Sequence, residues 1–377
     1  MTAPGPGGSD PGAEVVSFAS NDYLGLSCHP AVVAAAHQAL DRWGAGSGAS
    51  RLVTGSRPIH AELEATLAEW KDSERAIVFP TGFAANLSVL SVFASDEASV
   101  FSDELNHASI IDGCRAARAE VSVYRHKDLE HLARLVAAST GRPIIVSDTV
   151  FSMDGDAADL AGLVDVARRF GALLILDEAH AVLGPELPTS VTAGGDLGVD
   201  VLRVGTLSKT LGSLGGFVAG PDRFVELLVN RARPYIFTTA PSPADAAAAL
   251  AAVGIVQSPE GAALRHRLTD LVTRVSDAIG GGGTRPGQVS PIVPVIIGEE
   301  ARAVAASDRL LAHGLWVPAI RPPTVPTGTS RLRVTLSSIH TDEQVERLIA
   351  ELMALGALGE PGGPGSDRNV IGSVVAS

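Results

Sequence analysis

Cysteine is scarce: the 377 residues hold two, Cys28 and Cys114, neither close together nor set as Cys-x-x-Cys. That excludes a disulfide framework and a zinc ribbon and fits a reducing, cytoplasmic location. No run of lysine and arginine occurs, and 29 basic against 42 acidic side chains leave a formal charge of −13. A surface that tracks nucleic-acid phosphates is therefore not expected, although a small anion can still bind locally. No apolar stretch reaches about 20 residues, and Met1 to Gly12 has neither the basic nor the apolar segment of a secretion signal, so no membrane partner is expected. His-Glu-x-x-His and Gly-x-Ser-x-Gly are both missing, which removes the usual zinc-protease helix and serine-hydrolase elbow. Internal repeats are also absent.

What the sequence does have is 46% hydrophobic against 19% charged residues, with 40 Gly and 23 Pro. This is the balance of a globular chain with many tight connections. Short β-branched runs alternate with helical segments from Ala76 onward, the pattern of a mostly parallel sheet covered by helices. Seven strands are expected: Ala76 to Phe79, Ser99 to Ser102, Val121 to Tyr124, Ile144 to Ser147, Leu173 to Asp177, Leu202 to Gly205 and Gly216 to Ala219. The unbroken apolar run Leu173 to Leu176 suits a strand buried on both faces. After a long helix near Ala244, proline-interrupted segments around Ile292 to Ile297 and Arg331 to Leu336 predict a smaller α+β domain. It should end in a helix from Asp342 to about Leu355 with Thr341 as N-cap. The expected organisation is a short segment over 1–40, a large domain over 41–255, a small domain over 256–357 and a flexible Gly/Pro-rich tail over 358–377.

Two phosphate motifs fail on context. Gly44-Ala45-Gly46-Ser47-Gly48-Ala49 follows a helix-like segment, Ala31 to Trp43, whereas the dinucleotide fingerprint must follow a strand. Ser208-Lys209-Thr210 lacks the P-loop glycines, with Arg203 and Ser208 in their places. The ends of the expected strands carry a more informative set, because ligands of open α/β sheets bind there. Asp177 ends the apolar run and needs a cationic partner. Lys209, among the glycines 212, 215 and 216, can act as nucleophile and base. Thr81-Gly82-Phe83-Ala84-Ala85-Asn86 joins a strand to a helix whose first amides form an anion site. Asn106-His107-Ala108-Ser109 and Phe151-Ser152-Met153-Asp154-Gly155 add a flat ring and a hydroxyl. Singly, each has a bland reading as a loop cap, a solvated lysine or a core histidine. Together they supply an acid for a pyridine nitrogen, an amine for an aldehyde, a ring to stack and a helix start for a phosphate, which are the needs of pyridoxal 5′-phosphate (PLP).

In these motifs, together with Ser20-Asn21-Asp22-Tyr23-Leu24-Gly25-Leu26 and Arg321-Pro322-Pro323-Thr324-Val325-Pro326, the chain resembles the α-oxoamine synthases from about Phe18 to Leu355. These are PLP enzymes of aminotransferase fold type I. The resemblance implies an α/β fold with a large domain on a mostly parallel seven-stranded sheet and a small C-terminal α+β domain. It also implies a homodimer with active sites at the subunit interface. Lys209 would bond the cofactor aldehyde and move protons at the substrate α-carbon, and Asp177 would keep the pyridine nitrogen protonated. His107 would stack on the ring, while His180 and Ser152 would bond its phenolic oxygen. Gly82, Phe83 and Thr206 would hold the phosphate, with Thr238 of the other subunit; Thr238-Thr239 could instead be an N-cap. Arg333 matches the position that pairs with the substrate carboxylate, Arg321 lies in a loop that approaches the bound substrate or packs over prolines, and Asn21 would lie near the acyl-thioester entrance.

The implied activity is decarboxylative condensation of an amino acid with an acyl thioester. The Arg321 to Pro326 loop favours L-alanine with a pimeloyl thioester, giving 8-amino-7-oxononanoate for biotin biosynthesis. Glycine with acetyl or succinyl thioesters, or serine with palmitoyl thioester, are the alternatives within the family. Outside it stand a metal-dependent hydrolase using Asp177, His180 and His107, and an inactive binding scaffold. Relatives carry a longer helical segment before the Asn-Asp-Tyr-Leu-Gly-Leu motif, where this sequence has a Gly/Pro-rich stretch.

Overall fold

The computed structural model describes residues 2–3, 15–187, 198–280 and 289–357; the expected tail over 358–377 lies outside them. The chain divides into two compact units, Gly25–Phe151 with Ala157–Ala262, and Met1–Leu24 with Ser152–Asp156 and Ala263–Ser377.

The first unit is built on a seven-stranded sheet: β1 Arg75–Phe79, β2 Ala98–Asp103, β3 Glu120–Tyr124, β4 Arg142–Asp148, β5 Leu173–Asp177, β6 Val201–Thr206 and β7 Gly216–Gly220. All seven expected strands form. Their spatial order is β1-β7-β6-β5-β4-β2-β3. The pairs from β6 to β3 are parallel, while β7 runs antiparallel to both β6 and β1. Alternate residues of the central strands feed two hydrophobic clusters. Ile144, Val146 and Ile175 belong to one, and Ile145, Leu174 and Leu176 to the other. The unbroken apolar runs therefore have the cause inferred from them, burial on both faces.

Helix Pro30–Trp43 packs on helix Pro243–Gln257 within this unit. Residues 25–40 thus belong with the large sheet, not with the separate 1–40 segment expected from the sequence. Ser242 caps helix Pro243–Gln257, its side chain accepting from Asp245 N–H. The alternative N-cap reading of Thr238-Thr239 is thereby corrected, since the cap lies three residues beyond them.

In the second unit, Ile292–Gly298 runs antiparallel to Ser330–Thr335, which pairs on its other side with Ala319–Ile320. Val15–Ser17 pairs with Leu315–Trp316, which ties the start of the chain to its C-terminal region. Thr2–Ala3 pairs antiparallel with Val15 and Val16. The last helix is Asp342–Ala357. Thr341 Oγ1 accepts from Gln344 N–H, and Gln344 Oε1 accepts from Thr341 N–H, the reciprocal bonding of a capping box.

His340 locks the front of this unit. Its Nδ1 accepts Ser337 N–H at 3.0 Å, its Nε2 lies 2.9 Å from Ser17 O, and its ring stacks on Phe18 at 4.3 Å. Nδ1 is thus already an acceptor, and burial lowers the His340 pKa to about 4. The folded state prefers neutral His340, so the stabilisation is complete above the unfolded value near 6.5 and is lost as pH falls toward 4. Urea unfolding at pH 7 and pH 4.5 is expected to show a loss of about 2 kcal/mol from this residue. The pH dependence should be flatter by that amount in His340→Asn.

Candidate active site

The C-terminal ends of the parallel strands bring most of the expected residues of the first unit together. Asp177 closes β5, stands opposite Asp148 of β4, and is 6% exposed. Its Oδ1 accepts Ala179 N–H at 2.9 Å, and its Oδ2 accepts from Asn86 Nδ2 at 2.6 Å. A carboxylate has about four lone-pair positions, so acceptor capacity remains.

Lys209 lies on the loop joining β6 to β7. Leu207 N–H bonds Gly215 O, Ser213 N–H bonds Leu207 O, and Gly212 N–H bonds Lys209 O. At Gly212, with φ +59°, a Cβ would sit 2.2 Å from Ser27 N, so only glycine fits this tight loop. Lys209 Nζ is 2.8 Å from His180 Nε2. His180 itself is buried.

His107 is the N-cap of helix Ala108–Ala116 and is exposed. Its Nδ1 accepts Ser109 N–H at 3.2 Å and lies 2.8 Å from Ser109 Oγ. Its backbone N–H donates to Asp148 Oδ2 at 2.8 Å. Desolvation lowers the His107 pKa; Asp177 opposes this and Lys209 adds to it. Burial, reinforced by the charge of Asp177, pushes Asp148 well above the usual carboxyl range. Sequence reasoning missed Asp148, whose only signal was its place at the end of a strand.

Helix Gly82–Phe93 opens beneath Thr81, which accepts Ala84 N–H on Oγ1 and Ala85 N–H on its carbonyl. The N–H groups of Gly82 and Phe83 make no hydrogen bond among the described residues. Thr206 adjoins this helix start, 3.2 Å from where a Gly82 Cβ would lie. Thr206 Oγ1 donates to Gly215 O and accepts Ser208 N–H. A Cβ on Gly216 would lie 2.5 Å from Gly82 N and from Thr81 C and O. These are backbone atoms that cannot swing aside, so Gly216→Ala is expected to cost about 1–3 kcal/mol of stability. It should also weaken binding of a phosphate-bearing ligand in the same protein, as thermal melts with and without that ligand would show.

Beside the site, Glu178 pairs with Lys71 at 2.8 Å and with Arg203 at 2.6 Å. Burial alone would raise Glu178, but these two cations hold it below the ordinary range. The sheet end next to Asp177 is thus braced to helix Pro58–Trp70, because Arg203 also donates to Lys71 O.

Ser152, Asn21, Arg321 and Arg333 belong to the second unit. Arg333 is 6% exposed. Its guanidinium donates to Ser152 O at 2.6 Å, to Thr335 Oγ1 at 2.9 Å and, at 3.3 Å, to Asn21 Oδ1. All of these acceptors are neutral, and among the described residues Arg333 has no carboxylate partner. Asn21 Oδ1 also accepts from the Tyr23 hydroxyl; burial raises the Tyr23 pKa, against the opposing charge of Arg333. Arg331, by contrast, is ion-paired with Asp154. Arg321 is exposed and its side chain makes no hydrogen bond among the described residues. Thr238 is exposed on the first unit. Among the described residues no group of three or more His, Cys, Asp or Glu is arranged to hold a metal ion.

Residues 13–352 match the family described as aminotransferase class I and II. The chain belongs to that family. This aminotransferase-family chain is 47% identical over 351 residues to 8-amino-7-oxononanoate synthase of Geobacter sulfurreducens, covering 92% of this chain and 90% of that protein. Among solved structures, the family member resembles a serine palmitoyltransferase from S. paucimobilis with a bound PLP–myriocin aldimine. That match has a TM-score of 0.85 and 32% identity, covering 92% of this chain and 88% of the other. It also resembles 8-amino-7-oxononanoate synthase from Francisella tularensis, with a TM-score of 0.74 and 27% identity, covering 91% and 98%.

Proposed function

We propose that this family member is a PLP-dependent acyltransferase that condenses L-alanine with pimeloyl-CoA. It gives 8-amino-7-oxononanoate, CoA and carbon dioxide, a step of biotin biosynthesis. The observation that carries this reading is the grouping of Lys209, His180, Asp177 and His107 with a helix start bearing two acceptor-free amides, in a chain 47% identical to a synthase of that product.

The residues present fit the cofactor. The Gly82 and Phe83 amides, backed by the partial positive charge of their helix, suit a phosphate, with Thr206 beside them. Asp177 has lone pairs left for a pyridinium N–H, and Lys209 is the amine for the aldehyde. His107 offers a ring face, and His180 and Ser152 are the groups proposed to bond the phenolic oxygen. When bound, PLP supplies an electron sink for the pair released at the amino-acid α-carbon. Lys209 removes the proton at that carbon and returns one after carbon dioxide has left. Arg333, a buried cation bonded only to neutral oxygens, is the residue proposed to pair with the substrate carboxylate. Asn21 is proposed to lie near the acyl-thioester entrance, and the Arg321 loop to approach the bound amino acid.

The enzyme is proposed to work as a cytoplasmic homodimer in which Thr238 reaches the partner's phosphate site. The exposure of Thr238 and of Phe237 beside it supports this. No single helix among the described residues is long and apolar enough to cross a membrane.

The likeness to serine palmitoyltransferase makes serine with a palmitoyl thioester the second reading. Steady-state comparison of alanine, glycine and serine with pimeloyl, succinyl, acetyl and palmitoyl thioesters separates them. Alanine with pimeloyl-CoA should give the highest kcat/KM, and a different winning pair overturns the assignment. A protein that stays colourless with added PLP removes the cofactor reading altogether.

A further inference from the structure

A chain of hydrogen bonds crosses the site and has only one consistent direction. Asn86 is 2% exposed and lies on helix Gly82–Phe93. Its Nδ2 is 2.6 Å from Asp177 Oδ2 and 2.9 Å from Ser109 Oγ, and its Oδ1 has no partner. The reverse amide orientation would set an oxygen against the Asp177 carboxylate, acceptor against acceptor, so both Nδ2 hydrogens are committed, one to each neighbour. Ser109 Oγ therefore accepts a hydrogen bond from Asn86 and has its single hydrogen left to donate. That hydrogen goes to His107 Nδ1, 2.8 Å away, where Ser109 N–H also donates. With two donors on Nδ1, the imidazole proton can sit only on Nε2.

We propose that Asn86 and Ser109 are positioning residues that hold His107 as the neutral Nε2–H tautomer, so that the positive charge paired with Asp177 belongs to the cofactor ring and not to the stacking imidazole. This rests on the cofactor reading above. A protonated His107 would compete for the same carboxylate, and Asn86 prevents this while fixing Asp177 with its other hydrogen. The charged and titratable groups around His107 are Asp177, which favours its protonation, Lys209, which opposes it, and Asp148, which accepts its backbone N–H. The lowered pKa of His107 agrees with the direction of the chain.

The test needs no cofactor. In the apoprotein labelled with ¹⁵N-histidine, with the His107 signals assigned from a His107→Gln variant, the nitrogen shifts report tautomer and charge directly. Wild-type His107 should be neutral at pH 7, with the proton on Nε2. Proton residence on Nδ1, or an imidazolium at pH 7, overturns the proposal whether or not Asn86→Asp folds. Asn86→Asp presents an acceptor to Ser109, whose hydroxyl then turns away from His107. The His107 pKa should rise by at least one unit, and PLP affinity should fall at least tenfold. An unchanged His107 titration in folded Asn86→Asp also overturns the proposal. Failure of the wild-type protein to bind PLP would sink the cofactor reading, while the apoprotein shifts would still decide the tautomer.

Discussion

Lys209→Ala is expected to lower turnover by ~10⁴-fold or more, the upper end of what a positioned proton-transfer group contributes. Here the same amine also holds the cofactor. Borohydride treatment of the wild-type holoprotein should reduce PLP onto the peptide containing Lys209, and the variant should carry no covalent label. Its fold should persist, because Lys209 is half-buried and the bonds that close its loop are made by backbone atoms of residues 207–215. Equal covalent labelling of the variant would show that another amine does this work.

Asp177→Asn should be the second most damaging change, lowering kcat by roughly 10²–10⁴-fold, since a neutral amide no longer favours a charged pyridine nitrogen and the electron sink weakens. The exchange is not silent in the protein either. Both Asp177 oxygens accept N–H groups, from Ala179 and from Asn86, whereas an asparagine has one oxygen. One donor must lose its acceptor, at a cost of about 1–3 kcal/mol. Stopped-flow rates with alanine and denaturant unfolding of the apoprotein would separate the two effects. A variant with wild-type kcat would deny Asp177 its place at the cofactor.

The sheet was legible because a parallel strand buried on both faces writes an unbroken apolar run into the sequence, as Leu173 to Leu176 does. The reversed direction of β7 left no such trace, since Gly216 to Ala219 reads alike in either sense. The residues of the candidate site were legible where they end strands or open helices. Arg333 was legible only through the family motif, and its bond to Asn21, 312 positions away, is a product of folding. Asn86 shows the same limit. It stood inside a singled-out motif, but its work depends on Ser109 and Asp177, 23 and 91 residues away. A buried amide has no pattern of its own. His340 reads as an ordinary residue before a helix until Ser17, Phe18 and Ser337 surround it.

The pairing of β1 with β7 bears on when the site can come into being during synthesis. β1 lies at one edge of the sheet, and within it pairs only with β7, Arg75 opposite Gly220 and Phe79 opposite Gly216. The earliest strand of the sheet thus waits for the last, and the helix start that follows it, packed against Gly216, has no wall until then. A chain still on the ribosome gains the β6–β7 hairpin bearing Lys209 as a local event, whereas joining β1 requires closure across the whole intervening stretch, a slow kind of contact. The anion cradle therefore marks a completed sheet: a nascent chain truncated before Gly216 should have no place to hold a phosphate.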